Sequence, residues 1–141
     1  MQITTKIDYL KDTYWKDLKK IVLFGFGRQG WKMYATLSKD FEIVAIVDNS
    51  TAKQDQEIDG HKILSCEDAE SYLRKYRTIV TTSQYYYQDI RIQLQDMGLV
   101  EYVDFVMYQQ FVTEWYYKYK DKIQVLKTDI SLRSEEHTSE L

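Results

Sequence analysis

Residues 20 to 30 read KIVLFGFGRQG. A run of Ile21, Val22, Leu23 and Phe24 has the unbroken apolar character of a strand buried on both faces, and it breaks into Gly25, Gly27 and Gly30 at the spacing G-x-G-x-x-G. Three of the chain's five glycines therefore fall in one turn. After a strand, the first glycine permits the tight turn and the second lets backbone N–H groups approach a pyrophosphate. The third lets the following helix pack closely on the sheet.

The glycine spacing alone is a weak signal, and its surroundings strengthen it. Arg28 to Lys39 places Trp31, Tyr34 and Leu37 on one face at helical spacing, so a bound phosphate would meet a helix N-terminus and its partial positive charge. A second strand, Glu42 to Val47, ends in Asp48, close to the separation of ~20 residues at which a carboxylate accepts ribose hydroxyls in dinucleotide-binding units. An acid there repels a 2′-phosphate, so NAD is expected over NADP, with Lys53 as the one basic residue in the following loop. The plainer alternative, a glycine turn with no ligand, leaves the register of strand, glycines, helix, strand and acid unexplained.

At 141 residues and 44% hydrophobic, the chain suffices for one core, and a single α/β domain is expected. No apolar run approaches the ~20 residues of a membrane span, and the N-terminus MQITTKIDYLKD has no apolar signal region, so a cytoplasmic protein with no membrane span is expected. One cysteine, Cys66, excludes an internal disulfide and a thiolate metal cluster within these residues, and no metal site is expected. The net charge of −3, with signs interspersed, argues against a nucleic-acid partner.

The pattern along the chain gives the remaining elements. Ile3, Ile7, Leu10, Tyr14 and Leu18 fall at steps of three and four, which predicts an amphipathic helix over residues 1–19. After Asp48, the polar stretch NSTAKQDQEIDG stands where a regular unit has a crossover helix, and only Ile63 and Leu64 mark the next strand. Helices are predicted at about Glu67 to Lys75, Tyr86 to Met97 and Gln109 to Lys122, the last with Phe111, Trp115 and Tyr119 along one face. Strands are predicted at Thr78 to Thr82 and Tyr102 to Met107. Alternation of strand and helix means a parallel sheet. The expected fold is a three-layer Rossmann-like α/β sheet, strand order 3-2-1-4-5, with helices on both faces, spanning residues 20–122. Residues 123–132 read as a further strand or the start of a second domain. The final nine residues, RSEEHTSEL, look like the translation of a sequencing adapter and are set aside as a non-native tail, 133–141.

The segments KKIVLFGFGRQGWKMYATLSKDFEIVAIVDNS, IDGHKILSCEDAESYL and TIVTTSQYYYQDIRIQLQDMGL together resemble the small Rossmann-like nucleotide-binding domains of bacterial cell-surface sugar enzymes. Such domains accompany sugar O-acyltransferases, glycosyl-phosphotransferases and sugar C-methyltransferases. The resemblance implies a nucleotide-containing ligand: NAD, a nucleotide-sugar or coenzyme A. Carried over by position, it implies that Gly25, Gly27, Arg28, Gln29 and Gly30 hold phosphate, that Asp48 and Asn49 hold the ribose, and that Thr82 and Ser83 line the crevice at the carboxyl ends of the strands. VLKTDISL, within residues 123–132, resembles the segment preceding the cysteine motif of radical SAM enzymes, although the cysteines are missing here.

Other residues carry less. Tyr116 and Lys120 have the Y-x-x-x-K spacing of hydride-transferring reductases and epimerases, but YYKYK is so rich in both residues that the spacing arises by coincidence, and the pair lies too near the glycine turn. His61 has no second histidine or cysteine near it and reads as a surface residue. Of Tyr85, Tyr86 and Tyr87, three in succession at a helix start, at most two can face one crevice. No catalytic residue is assigned. The expected function is a nucleotide-binding module, the N-terminal part of a larger enzyme of saccharide metabolism whose further domain is missing here. A free-standing NAD-dependent oxidoreductase or epimerase, or an accessory domain of a radical SAM enzyme, is the alternative.

Overall fold

The computed structural model describes residues 18–116. They form β1 (Lys20–Phe24), α1 (Arg28–Leu37), β2 (Glu42–Val47), β3 (Glu57–Ile58), β4 (His61–Leu64), α2 (Glu70–Lys75), β5 (Arg77–Val80), α3 (Gln84–Asp96), β6 (Phe105–Met107) and α4 (Tyr108–Phe111), which runs into a π-helical turn, Val112–Tyr116. The predicted N-terminal helix, the strand at 123–132 and the tail lie outside the described residues.

The strands form one sheet in the order β3-β4-β2-β1-β5-β6. Every pairing is parallel except that of β3 with β4. The five parallel strands thus follow the expected order 3-2-1-4-5, and β3 is an added antiparallel edge. Side chains alternate across the pleat, so β1 sends Ile21 and Leu23 into one core and Val22 and Phe24 into the other. The first core contains Leu37 of α1 with Phe41, Phe111 and Tyr116, and the second contains Leu73 of α2 with Tyr87, Ile90 and Leu94 of α3. Helices therefore cover both faces, and β1 is wholly buried from Ile21 to Phe24. Sequence order reverses between β1 and β5, the place at which open α/β sheets form a crevice beyond the strand ends.

Four local differences from the sequence reading have physical causes. The antiparallel strand β3 pairs with β4 through a two-residue turn in which Asp59 and Gly60 both have positive φ, 50° and 87°. That is the conformation of a hairpin turn matched to strand twist. Helix α2 starts at Glu70 rather than Glu67 because a preceding turn intervenes, where the Asp68 N–H donates to the Ser65 hydroxyl at 3.0 Å. Strand β6 starts at Phe105 rather than Tyr102, since Tyr102 adopts φ 71° and its N–H turns back to the Phe105 carbonyl at 2.7 Å. Past Phe111 the helix widens to π geometry, whose i→i+5 repeat brings Tyr116 beneath Phe111, with ring centroids 6.3 Å apart.

Candidate functional site

Strand β1 runs out at Phe24 into a turn that its neighbours leave little freedom. Gly25 takes φ 106°, and a Cβ there would lie 2.4 Å from Thr82 Cγ2 and 3.2 Å from the Thr81 carbonyl oxygen. Its N–H donates to the Val47 carbonyl at 2.6 Å. From the other side the Thr81 hydroxyl donates to the carbonyls of Phe24, at 3.1 Å, and of Gly25. The ends of β1, β2 and β5 are thus tied together at the turn. Gly30 supports it from below: a Cβ would stand 2.4 Å from the Gly25 carbonyl oxygen, so only glycine lets α1 sit against the loop.

Gly27 is the N-cap of α1. No side chain caps this helix and its first turn contains no acidic residue, so its leading N–H groups are served by no capping side chain and its positive end faces outward. A Cβ on Gly27 would meet only the Lys53 ammonium nitrogen, at 3.3 Å. The space above the helix start is therefore filled by one flexible side chain and not by backbone.

Asp48, 8% exposed, joins the end of β2 to this turn. Its Oδ2 accepts the Phe26 N–H at 2.6 Å and its Oδ1 accepts the Ser50 N–H at 2.8 Å. An ionised carboxylate has about four acceptor positions, so capacity for ribose hydroxyls remains. The next residue, Asn49, exchanges two amide hydrogen bonds with Gln93 of α3, at 2.9 and 3.2 Å.

These elements enclose a crevice of about 770 Å³ at the carboxyl ends of the strands. Gly25, Gly27, Arg28, Gln29, Asp48, Asn49, Thr82 and Ser83 all line it. Gly30 is buried beneath it and does not line it. Eight further residues outside the predicted site set line it: Phe24, Phe26, Ser50, Thr81 and Lys53, with Tyr86, Asp89 and Ile90 of α3. The last three follow the steps of three and four that mark one helix face, beginning at the helix start just past Ser83.

Residues 17–103 match the sequence model of a family described as C2185-like, N-terminal. The chain belongs to the C2185-like N-terminal family. No curated protein matches it. Among solved structures it is similar to RSP, a Rex-family repressor, at 14% identity over 83% of this chain and 66% of that one, with a TM-score of 0.53. It is also similar to UDP-D-quinovosamine 4-dehydrogenase from Vibrio fischeri, at 20% identity over 58% of this chain and 74% of that one, with a TM-score of 0.49. RSP in complex with β-NAD+ and operator DNA aligns at 13% identity over 84% of this chain and 63% of that one, with a TM-score of 0.48. At such identities the likeness to RSP speaks for the Rossmann-like fold.

Apart from Tyr86, the remaining chemically suggestive residues of this C2185-like domain lie outside the crevice. Tyr116 is buried at the opposite end of the sheet, where its hydroxyl donates to Asp40 Oδ2 at 2.6 Å just before β2 begins. It packs against Phe41 and Phe111 and does not line the crevice. Tyr87 is buried and donates to Glu101 Oε2 at 2.5 Å, Tyr85 is 81% exposed, and Tyr86 alone of the three lines the crevice. His61 begins β4 opposite Ile58. Cys66 is half-buried, its thiol 3.7 Å from Met97 Sδ, and burial followed by the Glu70 charge pushes the thiol up from its ordinary pKa. Among the described residues no group of three or more His, Cys, Asp or Glu could hold a metal, and no helix is long and apolar enough to cross a membrane.

Proposed function

We propose that this domain binds a nucleotide-containing ligand. Its phosphates lie over Gly27 and the start of α1, and its ribose lies toward Asp48 and Asn49. The observation that carries the reading is the uncapped N-terminus of α1 opening beneath Gly27 into a 770 Å³ crevice, a size suited to a small-molecule ligand. Thr82 and Ser83 form the opposite lip, and Tyr86 with Ile90 offers an apolar wall for a base.

NAD, a nucleotide-sugar and coenzyme A share the chemistry that this arrangement recognises. The domain acts in the cytoplasm as the ligand-holding module of a larger enzyme of saccharide metabolism, with its boundary near residue 122 and the next domain opening at 123–132. A module is favoured over a complete oxidoreductase because Tyr116, the tyrosine of the Y-x-x-x-K spacing, bonds Asp40 at the far end of the sheet and does not line the crevice. Reading the native frame past Leu132 tests this: a stop codon within a few residues ends the larger-enzyme reading, a cysteine triplet points to a radical SAM enzyme, and a long frame without one points to an acyltransferase or methyltransferase.

The reading is tested by calorimetric titration of NAD, UDP-sugars and coenzyme A in parallel. Saturable binding of at least one is expected. Absence of binding by all three overturns the reading, and a change in nicotinamide absorbance with sugar nucleotides replaces the module with an enzyme.

A further inference from the structure

The loop that takes the place of a crossover helix between β2 and β4 is held along its length. The N–H groups of Lys53 and Gln54 donate to the Ser50 carbonyl at 3.1 and 3.2 Å, and the Gln56 N–H donates to the Lys53 carbonyl at 3.2 Å. The Gln54 side chain donates to the Asp48 carbonyl at 2.9 Å and the Gln56 side chain to the Ala52 carbonyl at 3.1 Å. The Ile63 N–H fastens the far end to the Gln56 carbonyl at 2.8 Å.

Out of this loop the Lys53 side chain reaches back over the glycine turn. Its ammonium donates to the Phe26 carbonyl at 3.2 Å and stands 3.3 Å from the position a Cβ on Gly27 would take. The residue is half-buried, and among the described residues no ion pair includes it. An ammonium has three donors, and the recorded bond engages one, with a neutral acceptor. A partly desolvated cation with one neutral partner gains from an anionic one, because a bond between charged groups is roughly twice as strong as a neutral bond.

We infer that Lys53 is a cation that grips the ligand's phosphates, its ammonium passing from the Phe26 carbonyl to a phosphate oxygen as the ligand enters. The inference rests on the nucleotide reading above and adds to it a residue that the glycine fingerprint does not contain. The surrounding hydrogen bonds fix the loop backbone, so only the lysine side chain has to move. A ligand with phosphates over the turn gains this contact, and a nucleoside gains nothing from it. The polar loop thereby contributes to binding what the missing crossover helix could not, a cation placed opposite the N-terminus of α1.

The test uses the full chain and three forms of residue 53: wild type, Lys53→Met, which keeps the apolar stem and removes the charge, and Lys53→Arg. Titrations with adenosine, ADP and 2′-AMP are run beside uridine and UDP. Lys53→Met is expected to weaken the diphosphates about tenfold, to leave the nucleosides within about twofold, and to flatten the salt dependence of diphosphate binding. Lys53→Arg is expected to recover most of the loss. Equal losses for diphosphate and nucleoside would assign Lys53 to loop packing, unchanged diphosphate binding would leave it no role, and a loss confined to 2′-AMP would place it on the ribose. Each of these overturns the inference while the nucleotide reading stands. A wild-type chain that binds neither ADP nor UDP overturns the inference, and one that also binds none of NAD, a UDP-sugar and coenzyme A overturns the nucleotide reading with it.

Discussion

The carboxylate of Asp48 accepts the backbone N–H of Phe26 at 2.6 Å across 22 residues of sequence. The acid at the end of β2 therefore shapes the glycine turn before any ligand arrives, and its other oxygen holds the loop that leads to Lys53 through the Ser50 N–H. Asp48→Ala leaves two backbone donors without their acceptor, and a loss of about 1–3 kcal/mol in stability is expected. Asp48→Asn keeps one acceptor oxygen and should lose less. Urea denaturation of both variants checks the order, and equal stabilities for wild type and Asp48→Ala would refute it.

The three glycines of the turn respond differently to a methyl group. At Gly30 the added Cβ would lie 2.4 Å from the Gly25 carbonyl oxygen, and at Gly25 it would meet Thr82 in a left-handed backbone. Gly25→Ala and Gly30→Ala are each expected to cost on the order of 2 kcal/mol. Gly27→Ala meets only the end of the Lys53 side chain and should melt within a few degrees of wild type. Thermal unfolding of the three variants side by side reads this contrast directly.

Tyr116 is a structural residue on this account. Its hydroxyl bond to Asp40 is at the far end of the sheet from the crevice. Tyr116→Phe is expected to lower stability by about 1 kcal/mol and to leave ligand affinity unchanged. Loss of affinity without loss of stability would return the Tyr116–Lys120 spacing to consideration as chemistry.

Burial, then the hydrogen bond to Glu101 and the charge of that residue, hold the Tyr87 hydroxyl well above its ordinary value near 10. The folded state keeps this proton after the unfolded chain has released it. The contribution of Tyr87 to stability is therefore complete below pH 10 and declines as pH rises above 10. The difference in urea midpoint between wild type and Tyr87→Phe should narrow between pH 9 and pH 11, and a widening gap would contradict the sign.

The sheet was legible because its signals are strong in single segments. Ile21 to Phe24 is buried on both faces, Glu42 to Val47 has the bounds that the apolar pattern predicts, and the glycine spacing locates the crevice. Much of what was missed depends on local backbone geometry. Asp59-Gly60 is a dipeptide favoured in two-residue hairpins, and it was the available signal for β3, although Ile58 is the single apolar residue of that strand. The left-handed Tyr102 and the π turn after Phe111 have no sequence pattern of their own, so the start of β6 and the face occupied by Tyr116 went unseen. Lys53 was visible only as a basic residue in a polar loop. Its place over Gly27 follows from the hydrogen bonds of Gln54 and Gln56, which no periodicity announces.

On the proposed function, the space over Gly27 receives the phosphates of a nucleotide-containing ligand. This is tested most directly by titrating NAD, a UDP-sugar and coenzyme A into wild type and Gly27→Val, with the thermal melt of each recorded alongside. Wild type is expected to bind at least one of the three, and Gly27→Val, still folded, to bind none of them, because the side chain occupies the approach to the start of α1. Undiminished binding by folded Gly27→Val would contradict it.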